Sequence, residues 1–139
     1  VQMSATQLAT YIFILHQSCC THHGGLVKAG QHHPLSEKDV QRLGRTYHAI
    51  CNLFRDTPIT DERSYLEDVP NIRGYIARIR TAIAHHIDDQ DIQFYTPQDT
   101  SDKSRYYIAI DPTKITLCIS SGEIPFMDYP FWKTLASKQ

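Results

Sequence analysis

Apolar positions recur every three to four residues in three long stretches of the chain, and helix-starting signals stand at their heads. In the first stretch Ser4 and Gln7 have the spacing of a capping box, with Met3 and Leu8 placed as a hydrophobic staple. Leu8, Tyr11, Ile12, Leu15 and Cys19 follow at helical spacing, and Gly24-Gly25 stops the run. Leu26 to Pro34 reads as a loop. In the second stretch Ser36 and Asp39 form a capping pair between the staple residues Leu35 and Val40. Val40, Leu43, Tyr47, Ile50, Cys51 and Phe54 then trace one apolar stripe until Thr57-Pro58 ends it. A short polar, helix-like piece lies around Asp61 to Glu67. The third helix is expected to begin with Pro70 in its first turn, where a missing N–H is harmless. Its stripe is Ile72, Ile76, Ile79, Ile83 and Ile87, closed by Asp88-Asp89.

The last third changes character. Residues Gln90 to Ser104 are polar and loop-like. Tyr106 to Ile110 and Ile115 to Ile119 are rich in strand formers and flank the turn-prone Asp111-Pro112-Thr113-Lys114, which predicts a two-stranded hairpin. Pro130 is placed to open a short terminal helix carrying Phe131, Trp132 and Leu135. The expected fold is mainly α: a helical bundle of about four helices, with a C-terminal β-hairpin and a short terminal helix. Residues 1–139 make one domain, with hairpin and tail from about residue 105.

Composition narrows the function classes. Apolar residues make up 41% and charged residues 21%, the balance of a globular chain rather than a disordered one. The formal net charge of −1 argues against the broad basic footprint of a nucleic-acid-coating domain, while leaving room for a small basic cleft. Eight histidines make the surface more positive as pH falls below about 7. Cys19, Cys20, Cys51 and Cys118 form no Cys-x-x-Cys pair, and the adjacent Cys19 and Cys20 are poorly placed to bridge, so they read as thiols of a reducing compartment. The longest apolar run, Tyr11 to Leu15, is far below the roughly 20 residues of a membrane span. No basic segment with a small-residue cleavage site stands at the start. A cytoplasmic protein without a membrane partner is expected.

The end of the third helix carries the most telling chemistry, Arg80-Thr81-Ala82-Ile83-Ala84-His85-His86. At about 100° per residue, Arg80 flanks the isoleucine stripe by roughly 60°, whereas His85 lies near the opposite side with Arg78, Thr81 and Gly74. Ala77, Ala82 and Ala84 keep that second surface open to another body. A histidine titrates near neutral pH and can carry a proton. An arginine offers a fixed fork of donors to phosphate oxygens. Beside an RNA phosphate the two suit attack by the neighbouring 2′-hydroxyl, with no metal or cofactor required.

This segment resembles the Arg-x4–6-His motif of the HEPN superfamily, small all-helical domains of which many are RNases in toxin–antitoxin, abortive-infection and CRISPR systems. The match is Arg80, four intervening residues and His85, on a late helix. The resemblance covers about residues 1–90. It implies a metal-independent endoribonuclease working as a homodimer, in which two motifs face each other across a composite cleft. Arg80 and His85 would be catalytic; Arg78, Thr81 and His86 would bind substrate. It also implies RNA as substrate, and a bacterial defence or toxin–antitoxin setting with an antitoxin or other protein as partner. The family often carries Asn, Asp or His directly after the arginine; here that position is Thr81. The other class of function is a non-catalytic helical interaction module using the same outward face.

Rival constellations are thinner. Arg42 and His48 satisfy the looser Arg–His spacing on the second helix. Cys19 and His23 lie one helical turn apart, so with His16, Cys20, His32 and His33 they invite a structural zinc site; adjacent His-His pairs point apart, and surface histidines are the simpler reading. Asp88-Asp89 reads as a helix end. Tyr106, Tyr107, Phe126, Tyr129, Phe131 and Trp132 read as packing for the hairpin and terminal helix.

Overall fold

A computed structural model describes residues 3–30, 34–55, 64–119 and 122–137. Its first helix, α1 (Ala5–Cys19), starts at the expected capping box: the Ser4 hydroxyl accepts from the Gln7 N–H at 3.2 Å, and the Gln7 side chain accepts from the Ser4 N–H at 3.3 Å. Ile12 through Gln17 are buried one after another, so α1 is enclosed on all sides rather than along one stripe. It is the central rod of the molecule.

The second helix, α2 (Glu37–Leu53), is capped by Ser36, whose hydroxyl accepts from the Asp39 N–H. Leu43, Tyr47, Ile50 and Cys51 are buried as the stripe requires, with Val40 and Phe54 at its margins. Thr57-Pro58 lies outside the described residues, as does the part of the polar piece before Ser64.

The third helix, α3 (Tyr65–Ala84), starts and ends earlier than the sequence suggests. Ser64 is its cap, accepting from the Leu66 N–H, and Glu67 and Asp68 place negative charge in the first turn, where the helix dipole favours it. Pro70 therefore sits inside the helix and not at its start. The described part of the polar piece is the first turn of α3. At the other end His85 is the cap residue, and Ile87 and Asp88-Asp89 fall beyond the helix. The run His85-His86-Ile87-Asp88-Asp89 consists of indifferent helix formers, which fits the early stop. Ile72, Ile76, Ile79 and Ile83 are buried as expected.

α1 packs on α2 and α3, which also touch each other. Phe13 is the meeting point, its ring 5.0 Å from Tyr47 and 6.2 Å from Tyr65. Gly44 lets α2 approach α3, since a side chain there would begin 3.4 Å from the Tyr65 β-carbon. The fold is mainly α, with three long helices. The fourth, α4 (Ile92–Tyr95), and the fifth, α5 (Phe131–Ser137), have 4 and 7 residues.

The strands differ from expectation. A three-stranded antiparallel sheet places β3 (Arg105–Tyr107) between β1 (Leu26–Val27) and β2 (Gln98–Asp99), with Leu26 and Asp99 both opposite Tyr106. Two segments read as loops, Leu26 to Pro34 and Gln90 to Ser104, thus supply its edge strands, the second also holding α4. The Tyr106–Ile110 and Ile115–Ile119 segments do not pair with each other. Asp111 accepts from the Thr113 N–H and hydroxyl, and with Pro112 it builds a 3-10 turn, Pro112–Lys114, that redirects the chain. The hairpin forms one strand later, between β4 (Thr116–Ile119) and β5 (Gly122–Pro125). Gly25 makes the first sheet possible: its φ is +141°, and a β-carbon there would strike the Tyr106 carbonyl.

The C-terminal segment closes the open side of α1. The Trp132 ring lies 4.9 Å from His16 and 5.1 Å from Phe126, and its Nε1–H donates to the Phe126 carbonyl at 2.6 Å. Trp132, Leu135, Phe126, Leu117 and Ile108 join the core cluster built on α1. α5 thus stands where Pro130 and its aromatic followers place it. Among the described residues no helix is long and apolar enough to cross a membrane.

Candidate functional site

From Val69 to Ile87 the chain carries Arg73, Arg78, Arg80, His85 and His86 and no acid. This stretch runs from the second turn of α3 to just past its end, and His85 and His86 stand at the C-terminus, where positive charge complements the helix dipole. Its outward face is formed by Asn71, Gly74, Arg78, Thr81 and His85, all exposed, with the small exposed residues Ala77 and Ala84 beside them. The sequence-predicted residues Arg78, Thr81 and His85 therefore do share one open face. The Thr81 hydroxyl is turned inward along the helix, donating to the Ala77 carbonyl at 3.1 Å. His86 is exposed, one residue past the cap.

Arg80 occupies the adjoining flank, half-buried. Its Nε–H donates at 2.9 Å to the carbonyl of Pro97, in the link between α4 and β2. That bond fixes the plane of the guanidinium, while its two terminal nitrogens make no hydrogen bond among the described residues. One turn and a half further on, the ring of exposed His85 makes none either. Five residues of helix separate the two by roughly 140° around the axis. Within one chain they flank an edge of α3 and do not touch each other.

Arg73, seven residues before Arg80 and on the same flank, donates to the Ala29 carbonyl just after β1. The two arginines thereby fasten α3 to the segments beside both edge strands. The Lys28 ammonium ties those edges across the sheet, 2.7 Å from Asp99 and 4.7 Å from the centre of the Tyr106 ring. Lys28 holds the Asp99 carboxyl below the usual carboxylate range, with Arg80 and Lys103 adding smaller pulls.

The other Arg–His pair lies elsewhere. Arg42 bonds to Gln17 at 3.4 Å and Asp39 at 3.5 Å, its side chain only 12% exposed. The His48 Nε2 lies 2.9 Å from the Asp68 carboxylate, which is 4% exposed. His48 also lines a groove of about 580 Å³ between α2 and the start of α3, with Glu37, Gln41, Arg45, Ser64 and Tyr65. A helix beginning at Pro70 leaves Asp68 outside the stripe, whereas α3 begins at Tyr65. Extended back by four residues, the isoleucine stripe runs through Asp68 and marks it as buried.

No group of three or more His, Cys, Asp or Glu that could hold a metal ion converges among the described residues, and His32 and His33 lie outside them. Cys19, Cys20, Cys51 and Cys118 form no disulfide. Burial raises the Cys19 thiol and pushes Cys20 up to about 11, so neither is an easily formed thiolate.

Compared with known proteins, the chain matched no family model, no curated protein and no solved structure.

Proposed function

We propose that this protein is a metal-independent, HEPN-like endoribonuclease whose active site forms where two copies meet on the outward face of α3. The observation that carries the reading is the guanidinium of Arg80, anchored through Nε with its terminal nitrogens making no hydrogen bond among the described residues, on the helix end that also exposes the ring of His85. On this reading α1, α2, α3 and α5 are the four helices of the bundle. RNA is the substrate, the cytoplasm the location, and bacterial defence or toxin–antitoxin biology, with an antitoxin or other protein partner, the setting.

The chemistry follows from the residue types. The 2′-hydroxyl gives its proton to a neutral His85 imidazole and attacks the adjacent phosphorus. The bond to the 5′-oxygen breaks, that oxygen takes a proton, and a 2′,3′-cyclic phosphate and a 5′-hydroxyl remain. Two copies supply two histidines, one to accept the proton and one to return it. Arg80 binds the phosphoryl oxygens as charge develops on them. Arg78 lies on the same face for flanking phosphates, and His86 beside the site. Gly74, Ala77 and Ala84 let a second helix come close.

The test is cleavage of RNA by the whole chain in EDTA, beside Arg80→Ala and His85→Ala. Cleavage that persists in EDTA, ends in cyclic phosphate and disappears in both variants is the expected result. Unchanged cleavage in both variants would remove these residues from the mechanism.

One observation favours a second reading, a non-catalytic interaction module. Phe94 and Tyr95 on α4 are 46% and 37% exposed, next to the end of α3. Exposed aromatics are common in protein-binding surfaces. On that reading Phe94→Ser abolishes self-association or partner binding, while Arg80→Ala and His85→Ala leave it intact.

A further inference from the structure

We infer that the groove between α2 and the start of α3 binds a small, largely apolar molecule with one anionic group, which Arg45 takes. The inference does not rest on Arg80 and His85.

The groove follows one face of α2. From Glu37 to His48, which line its two ends on that helix, the axis runs about 16 Å at 1.5 Å per residue. The space is about 580 Å³, within the range of small-molecule sites. At roughly 30 Å³ per heavy atom, the share of a water molecule in the liquid, it has room for about 20 of them.

Gly44 keeps the middle of the groove open. It packs on Tyr65, whose β-carbon a side chain at position 44 would meet at 3.4 Å. Val40 and Tyr65 line the same stretch, so the middle is apolar and favours an apolar body that leaves water.

Arg45 and His48 line one end, three residues apart and therefore neighbours on the helix surface. The His48 Nε2 lies 2.9 Å from the almost wholly buried Asp68 carboxylate, which fixes the ring as a wall. Arg45 differs. It is exposed, and it makes no hydrogen bond or ion pair among the described residues. The residues three and four positions away on α2 are Gln41, Arg42, His48 and Ala49, none of them an acid. Glu37, the acid that shares the groove, stands about 12 Å away along the axis, beyond the roughly 10 Å reach of exposed charges at 0.1 M salt.

A guanidinium offers a fork of donors that matches a carboxylate, sulfonate or phosphate. A ligand with such a group at Arg45 and its apolar body over Gly44 uses both parts of the groove. Glu37 at the far end, with Glu67 and Asp68 in the first turn of α3, opposes a second negative charge. The ligand is therefore a monoanion.

The experiment titrates the full chain with anilinonaphthalene sulfonate, an apolar ring system bearing one sulfonate, and follows its fluorescence. Saturable binding is expected, with amide NMR shifts centred on Val40 to His48 and on Tyr65. Uncharged phenylnaphthylamine, which lacks the sulfonate, should bind about tenfold more weakly, the loss of one charge-assisted contact. Arg45→Gln should lower the sulfonate's affinity by the same factor and leave that of the amine unchanged, with Arg45→Lys falling between. Should Arg45→Gln lose its thermal transition, the two ligands compared on the parent decide. The inference is overturned by equal affinity for the two ligands, by the absence of saturable binding, or by a folded Arg45→Gln that binds the sulfonate as tightly as the parent. Shifts centred on the separate apolar pocket of Leu8, Ile12 and Ile115 would also overturn it. So would loss of dye binding as protein concentration rises, which would make a second copy the occupant. His85→Ala should stop cleavage and bind the dye like the parent, so the two proposals fail separately.

Discussion

Two Arg–His pairs of similar spacing stand on neighbouring helices, and the protein uses them differently. Arg42 and His48 on α2 are absorbed by the scaffold: Gln17 and Asp39 take the arginine, and the buried Asp68 takes the histidine. Among the described residues, Arg80 and His85 at the end of α3 keep hydrogen-bonding capacity in reserve, the arginine held only through Nε and the histidine exposed. Spacing along a helix says which faces two residues share. Whether they form scaffold or site depends on what remains unpaired after folding.

The largest expected effect tests that division directly. On the proposed function, His85→Ala should reduce RNA cleavage by about 10²- to 10⁴-fold, the range for a lost general acid–base group. Its thermal transition should stay within about 0.5 kcal/mol of the parent, as for surface changes generally. His48→Ala should do the reverse, keeping cleavage and losing stability. If His48→Ala abolished cleavage with an unchanged melting curve while His85→Ala cleaved normally, the two pairs would have to exchange roles.

Next in size is a pH effect on the scaffold side. His16 is buried against Trp132, and burial, with Arg42 nearby, lowers it to about 4 from the usual 6.5. The unfolded chain therefore binds a proton at this residue between those values that the folded chain does not. Stability is fully retained above the unfolded value and falls as pH drops from about 6.5 toward 4, by about 3 kcal/mol in total at 1.36 kcal/mol per unit. Urea midpoints at pH 7, 5.5 and 4.5 measure it. His16→Gln should flatten this part of the profile; an equally steep profile in that variant would assign the acid sensitivity to other groups.

How much of this was legible in the sequence differs by element. Ser4 and Ser36 marked two helix starts because capping is local chemistry, written within four residues. Tyr47 and Ile79 were legible as core because a helical stripe needs only spacing. The edge strands were not: Leu26–Val27 and Gln98–Asp99 are two residues each, too short to show a period, and they exist only because distant Tyr106 lies between them. The same long-range pairing removed the expected hairpin, since Tyr106 had partners at both edges and Asp111 could build a turn alone. Within the candidate site, the outward position of His85 was legible from the isoleucine stripe. The anchoring of Arg80 was not, because Pro97 is brought to it by α4 and β2, which the sequence did not reveal.

A smaller effect concerns the absorbed pair. His48→Ala removes a 2.9 Å bond to a carboxylate that is almost wholly buried. Hydrogen bonds to charged groups contribute about 1.5–3 kcal/mol, so a loss near 2 kcal/mol is expected from urea unfolding. His48→Gln, which can still donate, should recover part of it. A loss below about 0.5 kcal/mol would place His48 with the surface residues and weaken the contrast with His85.

The smallest effect acts on the reserve pair from a distance. Asp99 is bonded to Lys28 and shares the neighbourhood of Arg80, so its charge opposes an approaching phosphate. On the proposed function, Asp99→Asn removes that charge and should tighten RNA binding about two- to threefold at low salt, an effect that fades as screening shortens to a few ångströms near 1 M. A competing consequence runs the other way. The Lys28–Asp99 bridge joins β1 to β2, and β2 follows directly on Pro97, whose carbonyl orients Arg80. That contribution should be minor: the bridge is partly exposed, and β2 is also held by its backbone pairing with β3. Salt dependence separates the two. Tighter binding that disappears with added salt identifies Asp99 as an electrostatic neighbour of Arg80, whereas weaker binding that persists at high salt would make it part of the support that aims the guanidinium.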